Sequence, residues 1–444
     1  MSVVLLSSRI LPWIVVLFAI AITVFVKYPQ PEMDWEGQIY PAAQRYMEEY
    51  YRLAAANNNN IRDHDNGTHG DEENTGSIVK VDPKYPLKGL VVAITGPTAG
   101  IGLALTRRLY KMGAHIIAIG RSSTKLQKLQ DELHNSGDGA GGKISTVIAD
   151  LSDLESVAIA STKILDTYEY IDILVNNAGV QTFPDGLLNI EQTKQGYDKV
   201  FGVNYLAHFL LTEKIKPLLG KSPGGGRGKI IQISSSYHGS VTGSDLVTSN
   251  NDQQQPIASI PGGHHGYFFF RCQRQYANSK FAQVLHMRAL NRQNRLPNNV
   301  RVVSICPTWV GSDILGQHGS TSNSLLSIMA FPVDGYGLSS IFTAMFYNNG
   351  TTPDATTTST TNFDDYFVNT KLTKLYQDPP YPSWLSTATP FMDMYATIAA
   401  FGYMMPFQRF TAWTGPIKSN YFTYDVELQE NLYEWSLQAV SSWL

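Results

Sequence analysis

Tyr276 and Lys280 stand four residues apart in Tyr276-Ala277-Asn278-Ser279-Lys280. On a helix that spacing puts both side chains on one face, a single turn apart, with an ammonium beside a phenol. A free phenol titrates near ~10, and a neighbouring cation favours the phenolate and lowers that value. A phenol poised in this way can give a proton to a carbonyl oxygen, or take one from an alcohol, near neutral pH. The pair alone is an ordinary helical spacing. Its weight depends on what the rest of the chain places around it.

An apolar run from Leu90 leads straight into Thr95-Gly96-Pro97-Thr98-Ala99-Gly100-Ile101-Gly102, which opens a helical pattern. Glycines at 96, 100 and 102 permit a tight turn and a close approach of backbone to ligand. The start of the helix offers unpaired N–H groups to a pyrophosphate. At the end of the second apolar run comes Gly120-Arg121-Ser122. A carboxylate there would bind an adenosine ribose and repel a 2′-phosphate; glycine stands in its place, and Arg121 can pair with the phosphate. The expected cofactor is therefore NADP(H) in preference to NAD(H).

The elements that must carry these groups alternate. Strands are predicted at Leu90–Thr95, His115–Ile119, Lys143–Ala149, Ile171–Val175, Lys229–Ser234 and Val300–Ile305, and helices at Ile101–Met112 and Lys125–Leu133, with further helical segments between. Such alternation predicts βαβ units and a parallel sheet covered on both faces. Residues 87–349 with Tyr366-Phe367-Val368 would form that unit, within a domain taken as 87–369. Ahead of it, Tyr40 to Ala56 reads as an amphipathic helix with Tyr40, Ala43, Tyr46, Met47 and Tyr50 on one side, packing on the domain or lying along the membrane surface. Asn57 to Gly76 reads as a flexible linker, being rich in Asn, Asp and Gly.

The glycine pattern at 95–102, Asp150-Leu151 after the third strand and Asn176-Asn177-Ala178-Gly179 after the fourth resemble the short-chain dehydrogenase/reductase family. So do Asn204 in Val203-Asn204-Tyr205-Leu206-Ala207-His208-Phe209, Ser235 after the fifth strand, Tyr276 and Lys280, all in the family's order. The wording of Asn204 to Phe209 and of Cys306-Pro307-Thr308-Trp309-Val310 is similar to retinol dehydrogenase-like members. The resemblance implies a Rossmann-type doubly wound α/β fold, a nicotinamide cofactor and a catalytic tetrad of Asn204, Ser235, Tyr276 and Lys280. Tyr276 would be the general acid/base, Lys280 would lower its pKa and hold the nicotinamide ribose, and Ser235 would polarise the carbonyl. Asn204, a polar residue in an apolar helix, needs a partner, which in the family is an ordered water leading to Lys280. Ser235 is selected from the run 234–236 by alignment with the family alone. Cofactor contacts are implied at Gly96, Thr98, Gly100, Ile101, Gly102, Arg121, Asp150, Leu151, Asn177, Ala178, Gly179, Pro307, Val310 and Ser312, besides Tyr276 and Lys280. Ser312 replaces the family's usual threonine, and Thr308 a usual glycine.

The bulk numbers narrow the class. With 444 residues and 43% hydrophobic content there is enough chain for a sizeable core. A net charge of −3 and pI near 6.4 lack the basic footprint of a nucleic-acid binder. Cys272 and Cys306, two cysteines in all, argue against a disulfide framework or a cysteine-ligated zinc, and no metal site is expected. Ile10 to Val26 is an uncharged run of seventeen residues, close to the ~20 needed to span a bilayer. It exceeds a signal-peptide core of about 7–15 residues and lacks a small-x-small site, so an uncleaved anchor over residues 1–27 is the expectation.

Two stretches exceed the family's plan. Forty residues separate Ser235 from Tyr276; they include a polar run, Asn250 to Gln255, His264-His265, read as surface histidines, and the aromatic run Tyr267-Phe268-Phe269-Phe270. Pro390 to Phe407, within the insertion expected over 370–444, is apolar apart from Asp393 and suits a membrane-dipping or pocket-covering segment. Val426, Leu428, Leu432, Trp435, Leu437 and Val440 outline a final amphipathic helix. Sequons occur at Asn66 and Asn349. The expected partners are a small lipophilic substrate, such as a retinoid, steroid or fatty aldehyde, and a membrane engaged through a single-pass anchor, in the endoplasmic reticulum or another endomembrane. The sequence leaves oligomeric state open, a homodimer included. The runner-up activity is a steroid or 3-ketoacyl-lipid reductase; the alternative of another class is a non-catalytic cofactor-binding scaffold or redox sensor.

Overall fold

Successive residues of a strand point to opposite faces of its sheet, so a run that is apolar throughout must be covered on both sides. Val91 to Thr95 meets that condition, all five residues being buried. In the computed structural model Val91 and Ala93 enter one core and Val92 and Ile94 another, on opposite faces of a single sheet. The model describes residues 35–65, 80–136, 141–181, 191–223, 228–243, 246, 271–292, 295–297, 300–307, 310, 333, 337–346, 366–368, 415–417, 419 and 421–444.

The sheet is built from β1 (Val91–Thr95), β2 (His115–Gly120), β3 (Lys143–Ile148), β4 (Ile173–Asn176), β5 (Lys229–Ile233), β6 (Arg301–Cys306), β7 (Tyr366–Val368) and β8 (Gly415–Ile417). Their order is β3-β2-β1-β4-β5-β6-β7-β8. The first seven strands run parallel and β8 pairs antiparallel with β7. The strand order reverses between β1 and β4, the topological switch point where doubly wound sheets open a crevice beyond their carboxyl ends.

The helices are α1 (Tyr40–Asp65), α2 (Gly100–Lys111), α3 (Ser123–Asn135), α4 (Leu154–Thr167), α5 (Ala207–Leu219), α6 (Arg271–Arg292), α7 (Leu338–Phe346) and α8 (Val426–Val440). Side-chain oxygens of Ser122, Asp153 and Asp425 accept first-turn N–H groups of α3, α4 and α8, which is why those helices begin where they do. One face of the sheet carries α1, α2, α3 and α7; the other carries α4, α5, α6 and α8.

Strands and early helices match the expected positions to within a residue or two, and Tyr366–Val368 does join the sheet. Two expectations change. First, α1 continues to Asp65, nine residues into the stretch read as linker. Asn and Asp cost a helix no more than about 0.7 kcal/mol per residue, and a helix already nucleated by packing can propagate through them.

Second, the domain reaches beyond 87–369: α1 packs on it, one of the two placements expected for that helix. Ala43, Tyr46, Met47 and Tyr50 are buried in the cluster that contains Phe342 and Met345 of α7, and Trp35 meets Phe342 edge-on at 5.2 Å. The C-terminal region is likewise built in, through β8 and α8, so a domain ending at 369 is too short. On α8, Leu432, Trp435 and Val440 are buried and Leu428 and Leu437 pack against the core, whereas Val426 is 50% exposed. Position 426 opens the helix and lies off the face that Leu432 and Trp435 present.

No described helix is long and apolar enough to cross a membrane. The run at 10–26, the aromatic run at 267–270, the apolar segment 390–407, His264, His265 and both sequons lie outside the described residues.

Candidate active site

Parallel strands put all their carboxyl ends on one edge, and the sequence motifs follow those ends. The glycine turn leaves β1, Arg121 leaves β2, Asp150 leaves β3, Asn177 to Gly179 leave β4, Ser235 leaves β5 and Pro307 leaves β6. Gly96 has φ +66° and Gly100 φ +50°, left-handed backbone that glycine adopts without strain. Gly102 is glycine for a different reason. A Cβ there would sit 2.1 Å from the Gly96 carbonyl oxygen and 2.5 Å from Asn177 Nδ2.

Asn177 fastens this turn: Nδ2 donates to the carbonyls of Thr95 at 2.8 Å and Gly96 at 3.3 Å. Its amide is therefore engaged with protein, and it would act on a cofactor through the loop it holds. Asp150 is similarly engaged, its Oδ1 accepting from the backbone and hydroxyl of Ser152 at 2.9 and 2.7 Å. The first turn of α2 has no side-chain cap at Ala99, so its N–H groups face the crevice without a side-chain acceptor, as an anion cradle requires. Arg121 is exposed and Val310 half-buried. Ser312 lies outside the described residues.

The helical members of the tetrad converge on the β4 and β5 ends. A helical turn, Lys199–Phe201, and a π-helical turn, Gly202–Leu206, precede α5 without a break, and Asn204 sits in the middle of the π turn. Such turns recur at functional sites because they rotate a side chain out of the regular helical face. Asn204 is fully buried; its Oδ1 accepts from Val180 N at 2.8 Å, while Nδ2 donates to Val180 O and Ser279 Oγ, both at 3.0 Å. Its amide is thus satisfied by protein groups, where the family resemblance implied an ordered water. A Cβ placed on Gly179 would lie 3.5 Å from Asn204 Oδ1 and 3.6 Å from Lys280 Nζ, so both groups close around that glycine.

Among the serines, geometry distinguishes 234 from 235. Ser234 Oγ donates to the Lys280 carbonyl at 2.9 Å, binding β5 to α6. The backbone is extended at Ser235, which turns adjacent side chains to opposite sides. The Ser235 hydroxyl lies close enough to the Tyr276 phenol to favour its ionised form. His238 Nδ1–H donates to the Ser235 carbonyl at 2.7 Å and holds that backbone in place.

Tyr276 and Lys280 share a face of α6, with Nζ 5.4 Å from the phenol ring centroid. Lys280 Nζ donates to Ile233 O at 2.7 Å. Burial pushes the Lys280 ammonium down to about 7. Burial also drives the Tyr276 phenol well above its ordinary value, against a lowering contribution from the Ser235 hydroxyl. The expected depression of the phenol by Lys280 is therefore not what the protein alone produces. Removing a phenolate from water costs more than one nearby hydroxyl and one nearby amine return.

Comparison with known proteins agrees with this geometry. Residues 90–245 match the family model described as short chain dehydrogenase. That match places this part of the chain, residues 90–245, in the short-chain dehydrogenase/reductase family. It is 32% identical over 212 residues to an uncharacterized oxidoreductase of Schizosaccharomyces pombe, covering 47% of this chain and 56% of that protein. It is 30% identical over 242 residues to retinol dehydrogenase 14 of Mus musculus, covering 52% and 64%. With retinol dehydrogenase 13 of Homo sapiens it shares 30% over 246 residues, covering 55% and 66%. The chain thus spans about half to two thirds of the length of the curated relatives it matches. Within this site the residues not singled out from sequence are Thr95, Ser279 and Gln283, which bond the tetrad's neighbours. Ser279 and Gln283 stand three and seven residues after Tyr276, the spacing of one helix face.

Proposed function

We propose that this protein is a nicotinamide-linked oxidoreductase that interconverts an alcohol and a carbonyl, with NADP(H) as the preferred cofactor and Tyr276 as general acid/base. The observation that carries the reading is the convergence of the Tyr276 phenol, the Ser235 hydroxyl and the Lys280 ammonium at the carboxyl edge of the sheet.

The residues fit the cofactor: the uncapped start of α2, the glycine turn and the Asn177 clamp make a cradle that a larger residue at 102 would fill. When bound, the nicotinamide supplies or accepts the hydride. The protein's part is the proton and the substrate oxygen. Ser235 donates to that oxygen, and the Tyr276 hydroxyl delivers or receives the proton there. A high phenol pKa keeps Tyr276 protonated and ready as an acid for carbonyl reduction. Any positive charge held near Lys280 moves it toward the phenolate needed for alcohol oxidation. Gly120, whose environment leaves ordinary contact distances around a Cβ, followed by exposed Arg121, supports the preference for a 2′-phosphate.

The substrate in this reading is lipophilic and the protein is held on an endomembrane by residues 1–27. Support comes from the apolar runs at 10–26 and 390–407, the aromatic run at 267–270 and the relatives named retinol dehydrogenases. The test is a panel of retinaldehyde, ketosteroid, fatty aldehydes and small soluble aldehydes with NADPH and NADH, run on full-length protein in detergent. Much faster turnover of the small aldehydes would sink the lipophilic assignment; equal kcat/KM for both cofactors would sink the NADP(H) preference. Tyr276→Phe should abolish turnover while cofactor binding stays largely intact, and unchanged turnover would refute the role of Tyr276.

A further inference from the structure

His208 is buried at 1% exposure, four residues after Asn204, and the proposed chemistry does not use it. Both of its ring nitrogens are engaged. Nδ1 lies 3.0 Å from the Asn204 carbonyl oxygen and Nε2 lies 2.9 Å from Thr95 Oγ1. A carbonyl oxygen only accepts, so Nδ1 carries the proton. Burial pushes the imidazole down to about 4, so a single proton is shared between two nitrogens and Nε2 must accept. The Thr95 hydroxyl is therefore the donor to Nε2.

That assignment completes Thr95 as well. Its oxygen accepts from the backbone N–H groups of Asn177 and Ala178, both at 2.9 Å, and its one hydrogen points to His208. The alternative acceptor, Val175 O, is 3.4 Å away. On the other side, the Asn204 carbonyl also receives Gln283 Nε2–H at 2.8 Å. The Asn204 side chain donates to Ser279 Oγ, which donates to the Tyr276 carbonyl at 2.7 Å. A continuous, directional chain thus runs from the loop after β4, through Thr95, His208 and Asn204, to the turn of α6 that carries Tyr276.

We infer that His208 is a positioning residue: the Thr95 hydroxyl fixes the tautomer in which Nδ1–H holds the Asn204 carbonyl, and that bond sets Asn204 and, through Ser279, the height of Tyr276. The inference rests on the oxidoreductase reading for its kinetic consequence and not for its tautomer. Losing the imidazole frees the π turn to rotate, and small displacements of catalytic groups cost up to about a hundredfold in rate. The substitutions separate the two bonds. His208→Leu removes both. His208→Asn restores a donor at the Nδ1 position toward the Asn204 carbonyl while leaving Thr95 without its acceptor.

With NADPH and decanal or retinaldehyde as carbonyl probes, His208→Leu should lower kcat about tenfold or more. NADPH affinity measured by fluorescence titration should stay within about threefold, the split expected when groups are misplaced only for the chemical step. His208→Asn should recover kcat to within about threefold of wild type. A His208→Leu variant with wild-type kcat, or an Asn variant no faster than the Leu variant, overturns the inference. Selective 15N labelling of histidine in the wild-type protein, assigned against His208→Asn, reads the tautomer whether or not the Leu variant folds. A proton on Nδ1 upholds the chain; a proton on Nε2 breaks it. Absence of turnover by the wild type with every probe would count against the oxidoreductase reading, and the tautomer would still decide the hydrogen-bond chain.

Discussion

Gly102→Ala isolates the cofactor cradle from the proton-transfer group. In α2 the substitution is favourable by propensity, since alanine is better than glycine in a helix interior by roughly 0.8–1.0 kcal/mol. Sterics oppose it. The new Cβ would lie 2.1 Å from the Gly96 carbonyl oxygen and 2.5 Å from Asn177 Nδ2. To reach even a tight 3.0 Å contact, the Gly96 carbonyl must withdraw by about 0.9 Å. That carbonyl is backbone in a turn at φ +66°, and Asn177 holds it, so neither neighbour is the free end of a flexible side chain. Overpacking of this kind costs about 1–3 kcal/mol, and displacing Asn177 forfeits hydrogen bonds worth about 0.5–1.5 kcal/mol each.

Because the loop displaced in this way is the one proposed to meet the pyrophosphate, much of that cost should appear in binding. NADPH affinity should fall about 10–100-fold, at 1.4 kcal/mol per decade. The melting temperature should drop by only a few degrees, about 2–4 °C per kcal/mol for a domain of this size. Fluorescence titration with NADPH and a parallel thermal melt separate the two effects. Affinity within threefold of wild type in a folded protein would refute the argument, showing that the cradle does not depend on the close approach of residues 96, 102 and 177.

Ser235→Ala should remove most of the activity, whereas Ser234→Ala, which breaks only the bond to the Lys280 carbonyl, should cost about 1 kcal/mol of stability; the reverse ranking in kcat would reassign the serine. Met47→Ala should destabilise the protein by about 2–5 kcal/mol, because Met47 is fully buried where α1 meets the domain. An unchanged melting temperature would show that α1 adds nothing to the stability of the core. For Lys280, the folded pKa of about 7 lies below the ordinary amine value, so between them the unfolded chain holds a proton that the folded one does not. That penalty is fully present below about pH 7 and is relieved as pH rises toward 10. The stability advantage of Lys280→Met over wild type should therefore shrink between pH 7 and 9.5 in urea titrations. The range stops short of 10 because the raised Tyr276 pKa contributes the opposite slope above it. A constant difference across that range would mean that Lys280 keeps an ordinary pKa.

Much of this protein is legible from spacing. Short, largely apolar runs alternating with helical stretches marked the first seven strands in sequence order. Glycines at 96, 100 and 102 between a strand and a helix announced the turn, and Tyr276 with Lys280 announced a shared helix face. These are local properties, set by the periods of two and 3.6 residues and by glycine's tolerance of positive φ.

Other features depended on residues far apart in the chain. Which serine faces Tyr276 was settled by Ser234 being drawn to the Lys280 carbonyl, forty-six positions away. The direction of the Tyr276 pKa followed from burial, a property of the packed interior that no spacing encodes. The polar composition of Asn57 to Asp65 reads as linker until α1 is seen to be nucleated by Ala43, Tyr46, Met47 and Tyr50 against α7. His208 stood in a quoted motif without a role, because its partners Thr95 and Asn204 meet only when β1 lies beside β4 and the π turn brings Asn204 round. Sequence by itself determined the kind of chemistry the chain can do; tertiary structure decided which groups are held in place to do it, because hydrogen bonds and desolvation depend on what is adjacent in space.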